Sequence, residues 1–195
     1  MDPAQRLQTA LDEYLESEDQ APAKSELVDG RAYAMAGAGY EHNVIVANVV
    51  GLLRAELRGR PCVALPSDMK VLVPGKRSNV YYPDATVVCG APEFYGTRRD
   101  VLTNPSVVVE VLSASTERID RGEKREAYAL IPALTDYLLI ASDRMRVEQF
   151  TAASGWNAAV YEQRGADAGA RVVLAALGVE LELRELYANV PLQQA

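Results

Sequence analysis

Cysteine, aromatic residues, long apolar runs and excess positive charge are all scarce in these 195 residues. Cys62 and Cys89 lack the paired spacing of a metal site and are expected as buried thiols in a reducing cytosol. Aromatic residues make up 7% of the chain, which argues against a metal-free carboxylate-pair hydrolase of the glycosidase type, since a sugar site wants aromatic platforms. The best apolar run, 44–57, is interrupted by Arg54 and Glu56, so no membrane span is expected. The first twenty residues are acidic and amphipathic, without the basic-then-apolar order of a signal peptide, and the expected location is cytoplasmic.

Positive charge is scarce in a more informative way. The formal net charge is −7, which at first argues against a polyanionic partner. The excess lies in residues 1–30, where eight acids meet only Arg6 and Lys24. Between Arg31 and Tyr161, fifteen basic residues face fourteen acidic ones, so the body is close to neutral. This neither excludes nucleic acid nor supplies a strong basic footprint.

The chain does hold apolar, β-branched runs that carry a carboxylate. Residues 82–88 contain Asp84 and residues 107–112 contain Glu110. Such runs read as buried strands. A carboxylate inside one costs several kcal/mol unless something compensates its charge. Lys124 follows on an expected helix, 122–130, with Asp120 as the residue capping it. Two strand carboxylates and a helix lysine together point to a divalent cation. Magnesium needs only one or two protein carboxylates because it keeps most of its waters. A bound ion lowers the pKa of its water and screens charge developing on a phosphate, and an ammonium can stabilise the same charge.

Each residue also has a plainer reading. Asp84 follows Pro83, which cannot donate a ladder hydrogen bond, and alone reads as a turn-capping residue at a strand start. Glu110 could be salt-bridged across the sheet. His42, the only histidine, reads as a helix-surface or capping residue with proton handling as the alternative. Asp68 reads as a turn residue after Pro66-Ser67, and Glu26 as either a strand end or an added carboxylate. Tyr81 and Tyr82 read as packed strand residues sooner than as base-stacking ones.

The remaining pattern predicts an α/β domain around one mixed sheet flanked by helices. An N-terminal helix (1–20, stripe Leu7, Leu11, Tyr14, Leu15) precedes a core over 24–190. That core begins with a hairpin turning at Asp29-Gly30 and a long helix, 40–58, with Val44, Ala47, Val50, Leu53 and Leu57 toward the core. Strands are expected at 62–65, 68–73, 134–141 and 146–151, with 156–161 and 178–183 extending the sheet or capping it, a basic loop at 74–79 and a short helix at 184–189.

The motifs Glu26-Leu27-Val28-Asp29-Gly30, His42, Tyr82-Pro83-Asp84, Glu110-Val111-Leu112-Ser113, Ser115-Thr116 and Asp120-Arg121-Gly122-Glu123-Lys124 with Tyr128 occur in a specific order. On them the chain resembles the PD-(D/E)XK nuclease superfamily, and within it the bacterial family described as putative restriction endonucleases. The resemblance implies a restriction-endonuclease-like fold and magnesium-dependent hydrolysis of DNA by a metal-activated water, with manganese as substitute. It implies Asp84, Glu110 and Lys124 as catalytic residues, and Asp84, Glu110 and the Val111 carbonyl as metal ligands. Glu26, His42, Asp68 and Asp120 are auxiliary candidates. Leu112 stands where the superfamily places its lysine, and Lys124 from the following helix is the substitute. A homodimer fits a duplex-cutting enzyme. The alternative is a catalytically quiet nuclease-like domain that binds nucleic acid or a partner protein.

Overall fold

A computed structural model describes residues 3–75, 78–113, 116–163 and 169–192. Helix α1 (Pro3–Glu18) leads into strands β1 (Ser25–Val28) and β2 (Arg31–Ala34), then helix α2 (Tyr40–Glu56). Strands β3 (Cys62–Pro66), β4 (Lys70–Val73), β5 (Asn79–Tyr81), β6 (Ala85–Cys89), β7 (Val101–Leu102) and β8 (Val107–Leu112) follow. A helical passage comes next: α3 (Glu117–Ile119), a π turn (Asp120–Lys124) and α4 (Arg125–Tyr128). The chain continues through β9 (Asp136–Ala141), β10 (Arg146–Thr151), a short 3₁₀ turn, β11 (Ala158–Glu162), β12 (Arg171–Leu174), β13 (Val179–Glu182) and α5 (Leu183–Leu186). Lys76 and Arg77 of the expected basic loop, and Ser115 of the motif set, lie outside the described residues.

The α/β class holds, but the strands form two large sheets where one was expected. A six-stranded mixed sheet runs β11-β10-β9-β8-β6-β3, and a five-stranded sheet runs β2-β1-β5-β4-β7. Pro83 is the physical reason. It lacks an N–H and splits what reads as one strand, so Val80 and Tyr81 pair in the smaller sheet while Ala85–Cys89 pair in the larger. Strands β5 and β7, of three and two residues, are too short to be legible beforehand, and β12 was not expected.

Alternation along β8 separates two cores. Val107, Val109 and Val111 face the cluster built on α2, β13 and α5. Val108 and Leu112 face the other way, against Tyr81, Tyr128, Tyr137 and the smaller sheet's Val71 and Val73. Glu110 therefore points into the second core. Leu11, Tyr14 and Leu15 of α1 cover the outer side of the smaller sheet with Leu27 and Val80, while Leu7 at the end of the expected stripe stays exposed.

Two details depart from expectation. In α2 the buried stripe is Ile45, Val49 and Leu53, continuing to Leu57, and Ala47 is exposed. The helix is aliphatic on several sides, and packing against β8, β13 and α5 selects this stripe. Cys62 and Cys89 are not free thiols but a disulfide. Antiparallel pairing of β3 with β6 places them directly opposite one another, which a separation of 27 residues along the chain gives no hint of. The hairpin turn forms as predicted, with Asp29 (φ 51°) and Gly30 (φ 79°) both left-handed, as a two-residue turn matching strand twist requires.

Candidate active site

Where the chain crosses from one sheet to the other, Asp84 stands at the junction. Its Oδ2 accepts the Val111 backbone N–H at 2.7 Å and lies 3.1 Å from His42 Nε2. His42 occupies the first turn of α2, so the long helix reports directly on this carboxylate. Val111 contributes its N–H to the site.

Glu110 lies on the central strand β8 with its side chain 6% exposed. Its Oε1 accepts from Lys124 Nζ at 3.1 Å and from the Tyr128 hydroxyl at 3.1 Å. Lys124 Nζ also donates to Glu26 Oε1 at 2.9 Å and lies 3.4 Å from Asp120 Oδ1. The same Glu26 oxygen accepts the Tyr82 backbone N–H at 3.1 Å. Thus Glu26, Asp84, Glu110 and Asp120 converge on one ammonium and one imidazole. Every hydrogen bond these two strand carboxylates make among the described residues goes to Asp84 Oδ2 or Glu110 Oε1. Asp84 Oδ1 and Glu110 Oε2 are the oxygens left to meet a further cation.

Helical spacing assembles the lysine side. Asp120, Lys124 and Tyr128 are four residues apart and share one face, and the π turn over Asp120–Lys124 is of the kind that often marks functional positions in helices. Asp120 does not cap this helix, because the helical passage starts earlier, at Glu117. Asp120 is instead buried against Lys124. Tyr128 belonged to the motif set without a role; its hydroxyl fixes Glu110, and its spacing from Lys124 was the available signal.

Electrostatics follow from the crowding. Burial pushes the Glu110 carboxyl well above the ordinary carboxylate range; Lys124 opposes the shift, while Asp120, Asp84 and Glu26 add to it. Burial likewise raises Asp120 against the pull of Lys124. For Lys124 burial favours loss of the proton, but Glu110, Glu26 and Asp120 outweigh it and hold the ammonium above its usual value. Tyr128 is kept a neutral phenol, first by burial and then by the Glu110 charge.

Asp68 lies outside the network. Its side chain is 85% exposed and its Oδ1 pairs with Lys24 Nζ at 2.5 Å on the surface turn after β3. Tyr81 at the end of β5 and Tyr82 just after it are both buried and packed. Among the described residues no three His, Cys, Asp or Glu side chains form a ready-made metal cage. Two carboxylates with an uncommitted oxygen each fit magnesium better than zinc, since magnesium takes few protein oxygens and keeps its waters.

Three comparisons bear on this arrangement. A crystal structure titled as a putative nuclease belonging to DUF820, from Anabaena variabilis ATCC 29413, superimposes with a TM-score of 0.71 at 18% identity. The match covers 91% of this chain and 97% of that one, and it establishes a shared fold. Two uncharacterized proteins of Synechocystis sp. PCC 6803, sll1609 and slr1290, are each 37% identical, over 138 and 139 residues. These cover 71% of this chain, with 77% and 72% of the relatives' lengths. The family model described as "Uma2: Putative restriction endonuclease" matches residues 11–185, which span every residue of the acidic cluster. With the fold and the ordered motifs in agreement, the chain belongs to the Uma2 family of putative restriction endonucleases, in keeping with the PD-(D/E)XK superfamily.

Proposed function

We propose that the protein is a metal-dependent endonuclease that hydrolyses DNA phosphodiester bonds, using magnesium, with manganese as substitute. One observation carries the reading: four carboxylates converge on a single lysine and a single histidine. Such a buried excess of negative charge is costly and is relieved by a bound cation. Asp84 and Glu110 would hold the ion through the oxygens the protein leaves unengaged. The ion would supply a water of lowered pKa and screening of the phosphate charge.

The chain's own residues do the rest. His42 and the Val111 N–H fix Asp84 Oδ2, so the carboxylate presents its other oxygen in one orientation. Tyr128 and Lys124 fix Glu110 in the same way. Lys124 stays cationic because three carboxylates surround it, and its ammonium is the point charge available to a phosphate oxygen as negative charge develops. Glu26 and Asp120 hold that ammonium in place.

Calorimetric titration of magnesium or manganese into wild type, Asp84→Ala and Glu110→Ala, followed by plasmid nicking on the same samples, tests the proposal. Binding in wild type alone, with nicking, is the expected result. A wild type that nicks equally well in excess EDTA would sink the metal mechanism.

A second reading has its own observation. Lys124 is only 7% exposed and already shared among three carboxylates, as a purely structural lysine would be. Metal binding without cutting would favour this nuclease-like binding domain.

A further inference from the structure

The β1–β2 hairpin carries side chains the fold does not explain. Residues 31–40 are all exposed, and β2 is the edge of its sheet. Arg31 and Tyr33 alternate with Ala32 and Ala34 along β2, so the cation and the aromatic share one face. Tyr33 lies directly opposite Glu26 in the antiparallel register, and directly opposed residues point to the same side of a sheet. Glu26 on that side accepts from Lys124. The Tyr33 ring, 53% exposed, therefore stands on the face of the hairpin that looks onto the acidic cluster. Beyond the backbone pairing of β2 with β1, neither the Tyr33 nor the Arg31 side chain has a hydrogen bond, ring contact or ion pair among the described residues. Edge strands are normally guarded by charge or proline, and a bare tyrosine beside a candidate active site is a departure from that habit. A second exposed ring, Tyr40 at 67%, opens α2 within a turn of His42.

We propose that this hairpin is an arm that lays a single, unpaired strand of nucleic acid across the acidic cluster, with Tyr33 as a base-stacking platform and Arg31 as a phosphate contact. The proposal rests on the nuclease reading and narrows its substrate. Duplex binding draws its affinity from many lysine and arginine contacts to phosphates, and the body, with fifteen basic against fourteen acidic residues between Arg31 and Tyr161, carries little excess of positive charge for it. Stacking on an aromatic ring holds a strand without added charge, but only an unpaired base presents its face. Tyr33 supplies the ring where that balance of forces requires it.

Fluorescence anisotropy with a short mixed-sequence oligodeoxynucleotide, alone and annealed to its complement, in calcium buffer, tests this on the full chain. Wild type is expected to bind the single strand roughly tenfold tighter than the duplex, Tyr33→Ala to lose roughly tenfold on the single strand only, and Tyr33→Phe to restore it. Arg31→Ala is expected to weaken both and to lower the salt slope by about one. Because both side chains are exposed, unchanged melting temperatures will show the variants folded. Equal binding of strand and duplex, a silent Tyr33→Ala, or failure of Phe to rescue would overturn the arm. Cleavage of the same strand is followed separately in magnesium: Tyr33-dependent binding without cutting would overturn the nuclease reading and leave the arm standing.

Discussion

Lys124 Nζ lies 3.1 Å from Glu110 Oε1, joining the helical passage to the central strand of the larger sheet. The residue two places beyond Glu110 is Leu112, which shares its face of β8 and is buried in the second core. The ammonium thus arrives from a helix at a position the strand itself fills with an aliphatic side chain.

Replacing that lysine removes the compensating charge from a buried carboxylate set. For Lys124→Ala we expect a loss of about 3–5 kcal/mol in metal-free buffer, because the partner charges are left buried and unpaired. Magnesium should recover part of it by binding the native state. Urea unfolding with and without the ion measures both effects. A variant as stable as wild type in EDTA would show that the cluster does not depend on Lys124. If the protein cuts DNA, the same variant should cut about 100-fold or more slowly.

Glu110→Gln should separate metal binding from folding. The amide can still accept from Tyr128 and Lys124, and it avoids the desolvation that raises the Glu110 carboxyl. We expect stability close to that of wild type, with magnesium affinity lowered at least about tenfold. Calorimetry and thermal melts on one preparation decide it; unchanged affinity would remove Glu110 from the metal site.

The pH dependence of stability should carry two opposed contributions. Glu110 and Asp120 are raised in the folded protein, so the native state holds more protons than the unfolded one above the ordinary carboxylate pKa. Their contribution grows as the pH falls from neutral through that window, and Glu110→Gln removes the Glu110 part of it while leaving that of Asp120. Asp100 behaves in the opposite sense. Burial works against its ionisation, but hydrogen bonds from Arg98 and Lys70 outweigh it and hold the carboxyl at about 2. Its contribution is present above the unfolded value and is lost as the pH falls toward 2. Melting temperatures of wild type and Asp100→Asn should converge across that acid range; parallel curves would show that the Asp100 pairing is energetically silent.

The Cys62–Cys89 disulfide ties β3 to β6, the strand that starts beside Asp84, and encloses 27 residues of sequence separation. In the chain-entropy account a loop of that size is worth about 3.5 kcal/mol. Reduction should lower the urea midpoint correspondingly, and Cys62→Ser should reproduce the effect without reductant. Two titratable thiols in the native, unreduced chain would contradict the bridge.

Much of this was legible from residue order. An apolar run with one acid reads the same in isolation as in the sheet, because burying a carboxylate demands a partner wherever the strand lies. That logic brought Asp84, Glu110 and Lys124 into one group, and the Asp29-Gly30 turn followed from backbone sterics alone. The turn reading of Asp68 holds, whereas the capping role assigned to Asp120 went astray. Whether an acid faces solvent or a buried lysine depends on which element covers it, and periodicity does not report that.

The sequence by itself determined the α/β class, the family motifs, the two strand carboxylates and the need for positive charge near them, since these follow from local sterics and desolvation. The tertiary structure alone decided the rest. Pro83 divides one apparent strand between two sheets, and the cross-strand register places Cys62 against Cys89 and Tyr33 beside Glu26. Packing of α2 brings His42 to Asp84. These are contacts between residues far apart in the chain, fixed by which strands pair and which faces pack. That choice is made by the summed burial of the whole molecule, so no single stretch of sequence contains it.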